Sequence, residues 1–512
     1  MSQRIRGLAT RREFLAGVGA AAAMVAGPRG VFAQDADTAL ESRLTNDPMR
    51  PQFHLLPAKN WMNDPNGPIY FNGRYHMFFQ YDPLAAVWGD MSWNHAMSPD
   101  MLHWTHLPLA LTPTPGSADS FGVFSGSAIA VPHGNTERVY AVYTGTQKSD
   151  DEHATIRDGA NNIQESQCLA WSDDARLVRW QKAAQPIVPA PPAGLKITGF
   201  RDPSVWRQGE WYYMTVGSGV AKVGGCVLLY RSKDLKQWDY LHKLTEGQWN
   251  GKPTANPCDD GEMWECPEFF ALDGGHVLIY STLGKVFWQS GVLDAAMMRF
   301  TARKTGELDL GAYYAPKTQL DAQGRRILWG WIPEKRSEAA MKAAGWSGMM
   351  SLPRVLHLDD DGTLRMTMPQ QVATLRGSVL RRGESIVGQG QILLREASGE
   401  VFWAGKTGLQ LSSLSGPNLL DIRYVPSTHS FLVDGKEFVL QPQDEPTVHA
   451  YVDCSVIEVL LSERIGYTKR FYYEGPTAPS ISVRDLGGFG LMKGWEMKPI
   501  SDNRLTTPAR SV

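Results

Sequence analysis

Residues 67–79 read Gly67-Pro68-Ile69-Tyr70-Phe71-Asn72-Gly73-Arg74-Tyr75-His76-Met77-Phe78-Phe79. Two runs rich in aromatic and apolar residues flank the dipeptide Asn72-Gly73, and that combination is typical of a β-hairpin with a tight turn. Residues 203–214 repeat the arrangement. From about residue 50 to 355 the chain continues as short strand-like runs broken by Gly, Asn, Asp and Pro. The sequence therefore predicts an all-β fold.

Two short patterns recur within this region. A Ser, an acidic residue and then a Trp occur at Ser98-Pro99-Asp100 before Trp104, Ser172-Asp173-Asp174 before Trp180 and Ser232-Lys233-Asp234 before Trp238. The second pattern is a set of tripeptides: Asn63-Asp64-Pro65, Phe124-Ser125-Gly126, Arg201-Asp202-Pro203, Glu265-Cys266-Pro267 and Tyr314-Ala315-Pro316. Five units of about four strands each predict a five-bladed β-propeller over residues 50–357. A tandem of β-sandwiches with coincidental spacing is the alternative.

The character of the chain changes after the propeller region. Residues 366–500 contain alternating apolar and polar runs, which predict a C-terminal β-sandwich. Its first part, 366–380, is interpreted as a polar linker or a short strand. Asp453 and Glu458 occur in alternating strands, and we expect them on solvated strand faces. The best helical candidate lies earlier, at Ser337–Ala344.

The N-terminus has the pattern of an export signal. Arg11-Arg12 precedes Phe14-Leu15 and the small, apolar run 17–26, which resembles a twin-arginine signal. We expect residues 1–33 to be the signal, with cleavage after Ala33, and the mature protein to be periplasmic or extracellular. The apolar run is too short to predict a membrane anchor. The twin-arginine export machinery is therefore an expected partner.

Composition excludes several classes of function. The 512 residues carry a net charge of −2, and no Lys/Arg-rich tract occurs outside the N-terminus, which argues against nucleic acid as a partner. The five cysteines are irregularly spaced and do not indicate a disulfide framework. No CxxC or HExxH spacing appears, so no metal site is predicted.

Three acidic residues stand at the starts of different repeat units: Asp64, Asp202 and Glu265. Because the first strand of each propeller blade lines the central channel, acids at equivalent positions converge on one pocket. Cleavage of a glycosidic bond needs two carboxyl groups, one to attack the anomeric carbon and one to protonate the leaving oxygen. Asp-Pro is also a common turn dipeptide, so one such pair alone has a structural interpretation. Three acids at the starts of separate repeat units, among aromatic residues, together favour a glycosidase.

Longer motifs around these acids resemble a known family. Residues 61–67, Trp61-Met62-Asn63-Asp64-Pro65-Asn66-Gly67, are similar to the signature of glycoside hydrolase family 32, the invertases, inulinases, levanases and plant fructan exohydrolases. Arg201-Asp202-Pro203 and Trp264-Glu265-Cys266-Pro267 are similar to its second and third motifs. The further stretches that resemble it are 88–89, 92–96, 103–108, 124–127, 324–331 and 451–459. The resemblance covers about residues 50–500 and departs at Glu268, where relatives commonly carry Asp.

The resemblance implies a retaining β-fructofuranosidase, which releases terminal non-reducing β-D-fructofuranosyl residues from sucrose or from fructans such as inulin and levan. Asp64 would be the nucleophile, Glu265 the general acid and base, and Asp202 would hold fructose hydroxyls. The fructose pocket would be completed by Asn63, Gln80, Trp88, Phe124, Ser125, Arg201 and Trp331. We expect Arg201 to keep Asp202 ionised, and Cys266 either to tune Glu265 or to be a small buried apolar group. No metal or organic cofactor is implied.

Three other functions stay open. An inverting propeller glycosidase would separate its carboxyl groups by about 6.5–9.5 Å, against about 5–5.5 Å for retention. A fructosyltransferase would share the covalent intermediate and differ only in its acceptor, which product analysis at high sucrose would reveal. A non-catalytic fructan-binding module would have lost Asp64 or Glu265, and both are present. Preference among substrates is expected to reside in loops 150–162 and 284–290.

Overall fold

The structure is a computed structural model of the chain, and it describes residues 30–157, 162–381, 391–414, 416–487 and 490–505. Most of the expected export signal, 1–33, lies outside these residues. Helix α1 (Gly30–Thr45) contains Ala33, the expected cleavage position. Within the described ranges, no helix is both long enough and apolar enough to cross a bilayer.

The second helix, α2 (Glu338–Ala344), forms where the Ala-rich segment predicts one. Ser337 caps its start, because its side chain accepts a hydrogen bond from the backbone N–H of Ala340. Gly345 ends it in a left-handed conformation with φ of 79°. The prediction at this position is confirmed.

Five mainly antiparallel sheets follow one another along the chain. The first contains β1 (Asn60–Phe71), β2 (Arg74–Asp82), β3 (Ser92–Ser98) and β4 (Thr105–Leu111). The second contains β5 (Gly122–His133), β6 (Thr136–Lys148), β7 (Ile156–Arg157), β8 (Asn162–Ser172) and β9 (Gln181–Lys182). The third contains β10 (Ile197–Gln208), β11 (Trp211–Val220), β12 (Gly224–Ser232) and β13 (Asp239–Glu246). The fourth contains β14 (Glu265–Leu272), β15 (Gly275–Thr282), β16 (Lys285–Asp294) and β17 (Arg299–Glu307).

The fifth sheet completes the ring. It contains β18 (Tyr314–Leu320), β19 (Arg326–Ile332), β21 (Met349–Met350), β22 (Arg354–Leu358) and β23 (Leu364–Thr367), whereas the intervening β20 (Trp346–Ser347) pairs in parallel with β1. The first strands of the sheets contact each other in a closed cycle, β1 to β5, β10, β14, β18 and back to β1. This cycle is the central channel of a five-bladed β-propeller, as the repeat predicts.

The remaining strands form two packed sheets, as predicted for a sandwich. One sheet contains β24 (Arg376–Arg381), β26 (Ser398–Ala404), β31 (Thr447–Asp453), β32 (Val456–Leu461), β33 (Ile465–Arg470) and β35 (Leu491–Met497). The other contains β25 (Gln391–Leu394), β27 (Gly408–Ser413), β28 (Asn418–Val425), β29 (Ser430–Val433), β30 (Lys436–Val439) and β34 (Ile481–Asp485). Their inward side chains, among them Trp403, Phe431 and Val459, form one buried core.

The expected boundary between the two domains falls inside the fifth sheet. Residue 357 lies within β22 and residue 366 within β23, and these two strands pair with each other. The segment 366–380, expected to be a polar linker or a short strand, contains a 3₁₀ helix, Gln370–Leu375, with Val372 and Leu375 buried, followed by the start of strand β24. A second 3₁₀ helix is Arg395–Ala397. The two domains are therefore joined by packed structure.

Buried charges occupy the interface between the domains. Asp453 and Glu458, expected on solvated faces, are each 0% exposed. The ring of His54 contacts Asp453 at 2.7 Å and Glu458 at 2.9 Å, and Arg354 donates to Glu458 at 2.7 Å. Strand alternation gave no sign of this burial, because the covering residues come from the propeller. Burial lowers the pKa of His54, but hydrogen bonds and attraction to both carboxylates outweigh it and raise the pKa to about 9.

Candidate active site

The innermost strand of every blade carries an irregularity at the same place. Pairing with the second strand shifts register between Met62 and Pro65, Val123 and Gly126, Arg201 and Ser204, Glu265 and Glu268, and Tyr314 and Lys317. Asp202, Cys266 and Ala315 have positive φ values of 63°, 50° and 51° at this point. The Pro that follows each of them has no N–H to lose from the ladder. The recurring tripeptides of the sequence therefore encode a β-bulge.

The positions of the bulges show which residues of the repeat units are structurally equivalent. The register makes Arg201 equivalent to Glu265 and Tyr314, and Asp202 equivalent to Cys266. The three acids are therefore not at equivalent positions, contrary to the expectation. They still approach the channel, because a bulge interrupts the alternation that sends successive side chains of a strand to opposite faces.

Asp64 is held by two neutral donors. It is 4% exposed. Its Oδ1 accepts a hydrogen bond from the Asn63 amide at 2.8 Å, and its Oδ2 accepts one from the Ser125 hydroxyl at 2.6 Å. Asn63 is in turn fixed by the indole N–H of Trp61 at 2.6 Å. The predicted residues Asn63, Asp64 and Ser125 thus form one buried cluster across blades 1 and 2.

A thiol lies between two of the carboxylates. Cys266 Sγ is 3.3 Å from Asp202 Oδ2 and 3.9 Å from Asp64 Oδ2, and the Cys266 backbone N–H donates to Asp202 at 3.0 Å. Burial, followed by the charges of Asp202, Asp64 and Glu265, raises the pKa of the Cys266 thiol well above its usual value. Cys266 is therefore a neutral thiol, and its single S–H donates to the nearer carboxylate, that of Asp202, with Asp64 more distant.

Asp64, Asp202 and Cys266 also carry the types of ligand atom that bind metal ions. One ligand atom from each of Asp64, Asp202 and Cys266 lies within 4.8 Å of the others. The thiolate is the form that binds metal, and the raised thiol pKa disfavours it. Both oxygens of Asp64 are already occupied by hydrogen-bond donors. This donor set therefore fits a metal ion poorly.

Glu265 is bound at both carboxylate oxygens. Its Oε1 accepts from Arg201 Nε at 2.9 Å, and its Oε2 accepts from the Tyr314 hydroxyl at 2.9 Å. Arg201 also donates through Nη1 to Glu165 at 2.9 Å. Burial lowers the pKa of Arg201, but the charges of Glu165 and Glu265 outweigh it and raise the pKa well above its usual value. Arg201 Nη2 also donates to Cys258 Sγ at 3.5 Å. The charge of Asp202 acts on Arg201 as well, after those of Glu165 and Glu265, so the expected electrostatic interaction between Arg201 and Asp202 is present and is weaker than that with the two glutamates.

The predicted aromatic residues pack beside the carboxylates. Trp88 and Phe124 meet edge to face at 6.0 Å between ring centroids, and Trp331 meets Trp61 in the same way at 5.8 Å. Among the described residues, no hydrogen-bond partner is present for the buried indole N–H of Trp88, that of Trp331 or the buried Oε1 of Gln80. A bound sugar would supply hydroxyl partners for all three.

A cavity of about 720 Å³ opens next to these residues. Trp88, Phe124 and Arg201 line its inner part, and the loop segments 152–157, 195–198 and 254–257 line its outer part. The first expected selectivity loop, 150–162, thus contributes to the cavity. Residues 285–290 of the second, 284–290, belong to strand β16 and do not line it. The second segment is thus mostly strand and not a loop, and its effect on substrate preference stays a prediction.

Sequence reasoning missed three residues of this site. Tyr314 begins the fifth tripeptide at the position of Glu265, so the repeat could have identified it. Glu165 lies inside β8, where no local signal distinguishes a buried acid from a surface one. Asp259 is half-buried, and burial followed by the charge of Glu265 raises the pKa of its carboxyl to about 6.

Comparison with known proteins assigns the family. Residues 54–369 match the family described as Glycosyl hydrolases family 32 N-terminal domain. The chain belongs to glycoside hydrolase family 32. A sucrose-6-phosphate hydrolase of Escherichia coli is 32% identical over 501 residues, which cover 90% of this chain and 97% of the relative. A raffinose invertase of Escherichia coli is 38% identical over 361 residues, which cover 67% of this chain and 70% of the relative.

Solved structures of family 32 share the fold. A Bombyx mori GH32 β-fructofuranosidase in complex with sucrose matches with a TM-score of 0.76 at 26% identity, covering 92% of this chain and 99% of that one. A fructan 1-exohydrolase of Cichorium intybus in complex with 1-kestose matches in fold with a TM-score of 0.72 at 24% identity, covering 88% and 98%. The family 32 chain is accordingly an enzyme of the glycosidase class.

Proposed function

We propose that this family 32 enzyme is a retaining β-fructofuranosidase that releases terminal non-reducing fructosyl residues through a covalent fructosyl-enzyme. The observation that carries the proposal is the meeting of Asp64, Asp202 and Cys266 from three blades, with Glu265 as the neighbouring residue. Two carboxyl groups at one sugar ring are what retaining glycosidases use.

Asp64 acts as the nucleophile. The Asn63 amide and the Ser125 hydroxyl fix its two oxygens, so the carboxylate is held in one orientation before substrate binds. A fixed orientation reduces the entropy that attack on the anomeric carbon would otherwise cost. Both donors are neutral, so the negative charge needed for attack is retained.

Glu265 acts first as general acid and then as general base. One guanidinium, Arg201, is shared between Glu165 and Glu265. Glu165 is fully buried, and its second oxygen accepts from the backbone N–H of Phe200 at 2.7 Å. A single positive charge cannot neutralise both glutamates, so Glu265 is the carboxyl that takes up a proton. That proton is delivered to the leaving oxygen and is recovered when water attacks.

Asp202 and the aromatic residues hold the fructosyl group. Asp202 is fully buried, and its carboxylate lies 3.3 Å from the Cys266 thiol; it accepts fructose hydroxyls and opposes the positive charge of the transition state. Trp88, Phe124 and Trp331 form the apolar wall. The indole N–H groups of Trp88 and Trp331, which have no hydrogen-bond partner among the described residues, donate to sugar hydroxyls.

Sucrose and fructans are the proposed substrates. The related proteins include a raffinose invertase and a β-fructofuranosidase seen with sucrose. The cavity of about 720 Å³ beyond Arg201 has room for a leaving group of one sugar or more. Its size supports action on more than one of these substrates.

The test is a substrate panel combined with trapping of the intermediate. The wild type is expected to release fructose from at least one of sucrose, inulin and levan. Asp64→Asn and Glu265→Gln are each expected to lose activity by about 10⁴-fold or more, whereas Asp239→Asn, an exposed acid on an outer strand, stays at the wild-type rate. Acid-quenched Glu265→Gln should carry one fructosyl unit on the peptide that contains Asp64. Absence of released fructose from all three sugars would refute the proposal.

We further propose export through the twin-arginine route. The supporting observation is Arg11-Arg12 before the small, apolar run 17–26. Replacing both arginines by Lys should leave the full-length precursor in the cytoplasm of the producing cell, with no mature protein outside it. Unchanged export of that variant would contradict the proposal.

A further inference from the structure

A second cavity lies at the opposite end of the propeller channel. Its volume is about 300 Å³, and every innermost strand contributes residues that follow the bulge. These are residues 67–70 of β1, 127–130 of β5, 204–206 of β10, 268–270 of β14 and 317–320 of β18, joined by Arg326 of β19. The active-site residues Arg201, Glu265 and Tyr314 precede the same bulges. The cavity is therefore separate from the site that cleaves sugars.

The charges that line this cavity do not cancel. Among the described residues around it, the charged ones are Glu268, Lys317 and Arg326. Glu268 is fully engaged: Oε1 pairs with Lys317 Nζ at 3.0 Å, and Oε2 accepts from the backbone N–H and the hydroxyl of Thr318 at 2.9 and 2.8 Å. Lys317 is 1% exposed and neutralises Glu268. The positive charge of Arg326 is left over.

The guanidinium of Arg326 is held in place by two contacts, and one of its N–H groups has no acceptor among the described residues. Its guanidinium stacks over the Phe270 ring at 4.7 Å, and its Nη1 donates to the Thr318 hydroxyl at 3.4 Å. Its Nε is buried, and within the described part of the chain nothing accepts a hydrogen bond from it. Burial lowers the pKa of this guanidinium, and the charge of Glu268, which is already paired with Lys317, offsets that shift only in part.

Gln319 supplies both a donor and an acceptor. The residue is 4% exposed and lines the cavity. Neither its Nε2 nor its Oε1 has a hydrogen-bond partner among the described residues. Buried side-chain amides are normally satisfied, so an amide with both atoms unpaired indicates a ligand or water in the cavity. Chloride and carboxylate ions have no proton to give to Oε1, whereas a phosphate that keeps one hydroxyl does.

We propose that this cavity is a binding site for a phosphate group that retains one P–OH, either inorganic phosphate or a phosphate monoester. Arg326 Nε and Gln319 Nε2 donate to the phosphate oxygens, and the P–OH donates to Gln319 Oε1. Phe270 forms the apolar face on which the guanidinium is held, and Trp206 is a further apolar residue of the cavity lining. The site differs from the catalytic one in both location and charge.

The experiment is calorimetric titration of the full chain with inorganic phosphate at constant ionic strength. One phosphate per chain is expected, with sulfate, which carries no proton near pH 7, binding more weakly. Arg326→Gln should weaken phosphate binding by about tenfold or more, because a charge-assisted hydrogen bond is lost. Arg303→Gln, which removes an exposed positive charge from blade 4, should leave it unchanged.

Three further measurements test the identity of the ligand and the location of its site. Gln319→Leu keeps the volume of the side chain and should abolish the preference for phosphate over sulfate. Saturating fructose should leave phosphate binding intact, whereas a phosphate bound at Arg201 would be displaced. A titration with glucose 6-phosphate at about pH 5.5, where most of the monoester keeps its P–OH, distinguishes a monoester from free phosphate as the better ligand. The proposal is overturned if phosphate binds no better than chloride, if Arg326→Gln binds as well as the wild type, or if fructose competes.

Discussion

Replacing Glu165 by Gln removes one of the two carboxylates that share the Arg201 guanidinium. The amide has the same size as the carboxylate, and its oxygen can still accept from Arg201 Nη1, which Glu165 contacts at 2.9 Å. The second oxygen of Glu165, which accepts from the backbone N–H of Phe200 at 2.7 Å, is replaced by an NH₂ group. Arg201 stays charged, because Glu265 still contacts it at 2.9 Å. The change therefore alters the charge near the proposed acid while the contacts of Glu265 itself are kept.

The expected effect follows from Coulomb's law. Two carboxylates that share a guanidinium lie roughly 5 Å apart, where unit charges repel by about 3 kcal/mol at an effective dielectric constant of about 20. Water in the cavity reduces this, so we expect about 1.4 to 2.8 kcal/mol, which corresponds to about one to two pH units. Loss of the repulsion favours ionised Glu265, and the protonated fraction falls. The alkaline limb of the pH profile of kcat should move to lower pH by that amount.

The assay is fructose release from sucrose between pH 4 and pH 9, roughly, with kcat and KM determined at each pH. The control is Glu137→Gln, which removes an exposed carboxylate from the same blade, and its profile should coincide with that of the wild type. An alkaline limb that stays in place in Glu165→Gln, or that moves to higher pH, would refute the claim that Arg201 is shared between the two glutamates.

Three further predictions concern single side chains. Tyr314→Phe removes the hydroxyl that donates to Glu265 at 2.9 Å and should lower kcat about tenfold with little change in KM. The pKa of His54 is raised to about 9, so its stabilisation is complete below about pH 6.5 and is lost as pH rises through about 9; urea unfolding should show this decline in the wild type and not in His54→Gln. Gly348 and Gly251 have φ of 77° and 78°, but a Cβ at Gly348 would meet a backbone oxygen at 1.9 Å, whereas Gly251 faces open space; Gly348→Ala should therefore lower the melting temperature clearly more than Gly251→Ala, and equal shifts would contradict the contact.

The propeller was predictable because its signals are local. Asn72-Gly73 between two apolar runs encodes a hairpin. The tripeptides recur once per blade, four of them ending in Pro and that of the second blade ending in Gly126. The tripeptides that end at Pro203, Pro267 and Pro316 also mark the bulges, but the sequence alone does not reveal which residue of each is equivalent to which. The register of the structure shows that Glu265 matches Arg201 and Tyr314. Relative to the bulge, Asp202 is one position and Asp64 two positions further along the chain than Glu265, and the proposed catalytic residues were found despite this misalignment.

Burial by distant segments was not predictable. Asp453 and Glu458 alternate with apolar residues as surface acids do, and their covering partner His54 lies about four hundred residues earlier in the chain. The burial of Glu165 could not be predicted for the same reason, because its partner Arg201 belongs to the next blade. A periodicity reports which residues share a face, but it does not report what covers that face.

The central claim, a fructosyl group transferred to Asp64 and then to water with retention, is tested most directly by methanolysis. Sucrose is incubated with the enzyme in water containing methanol. The methyl fructoside formed is identified by ¹³C NMR before the enzyme hydrolyses it in turn. The account predicts methyl β-D-fructofuranoside, the anomer of the substrate, in the wild type and none in Asp64→Asn. Formation of the α-anomer, or of the β-anomer at an undiminished rate in Asp64→Asn, would contradict it.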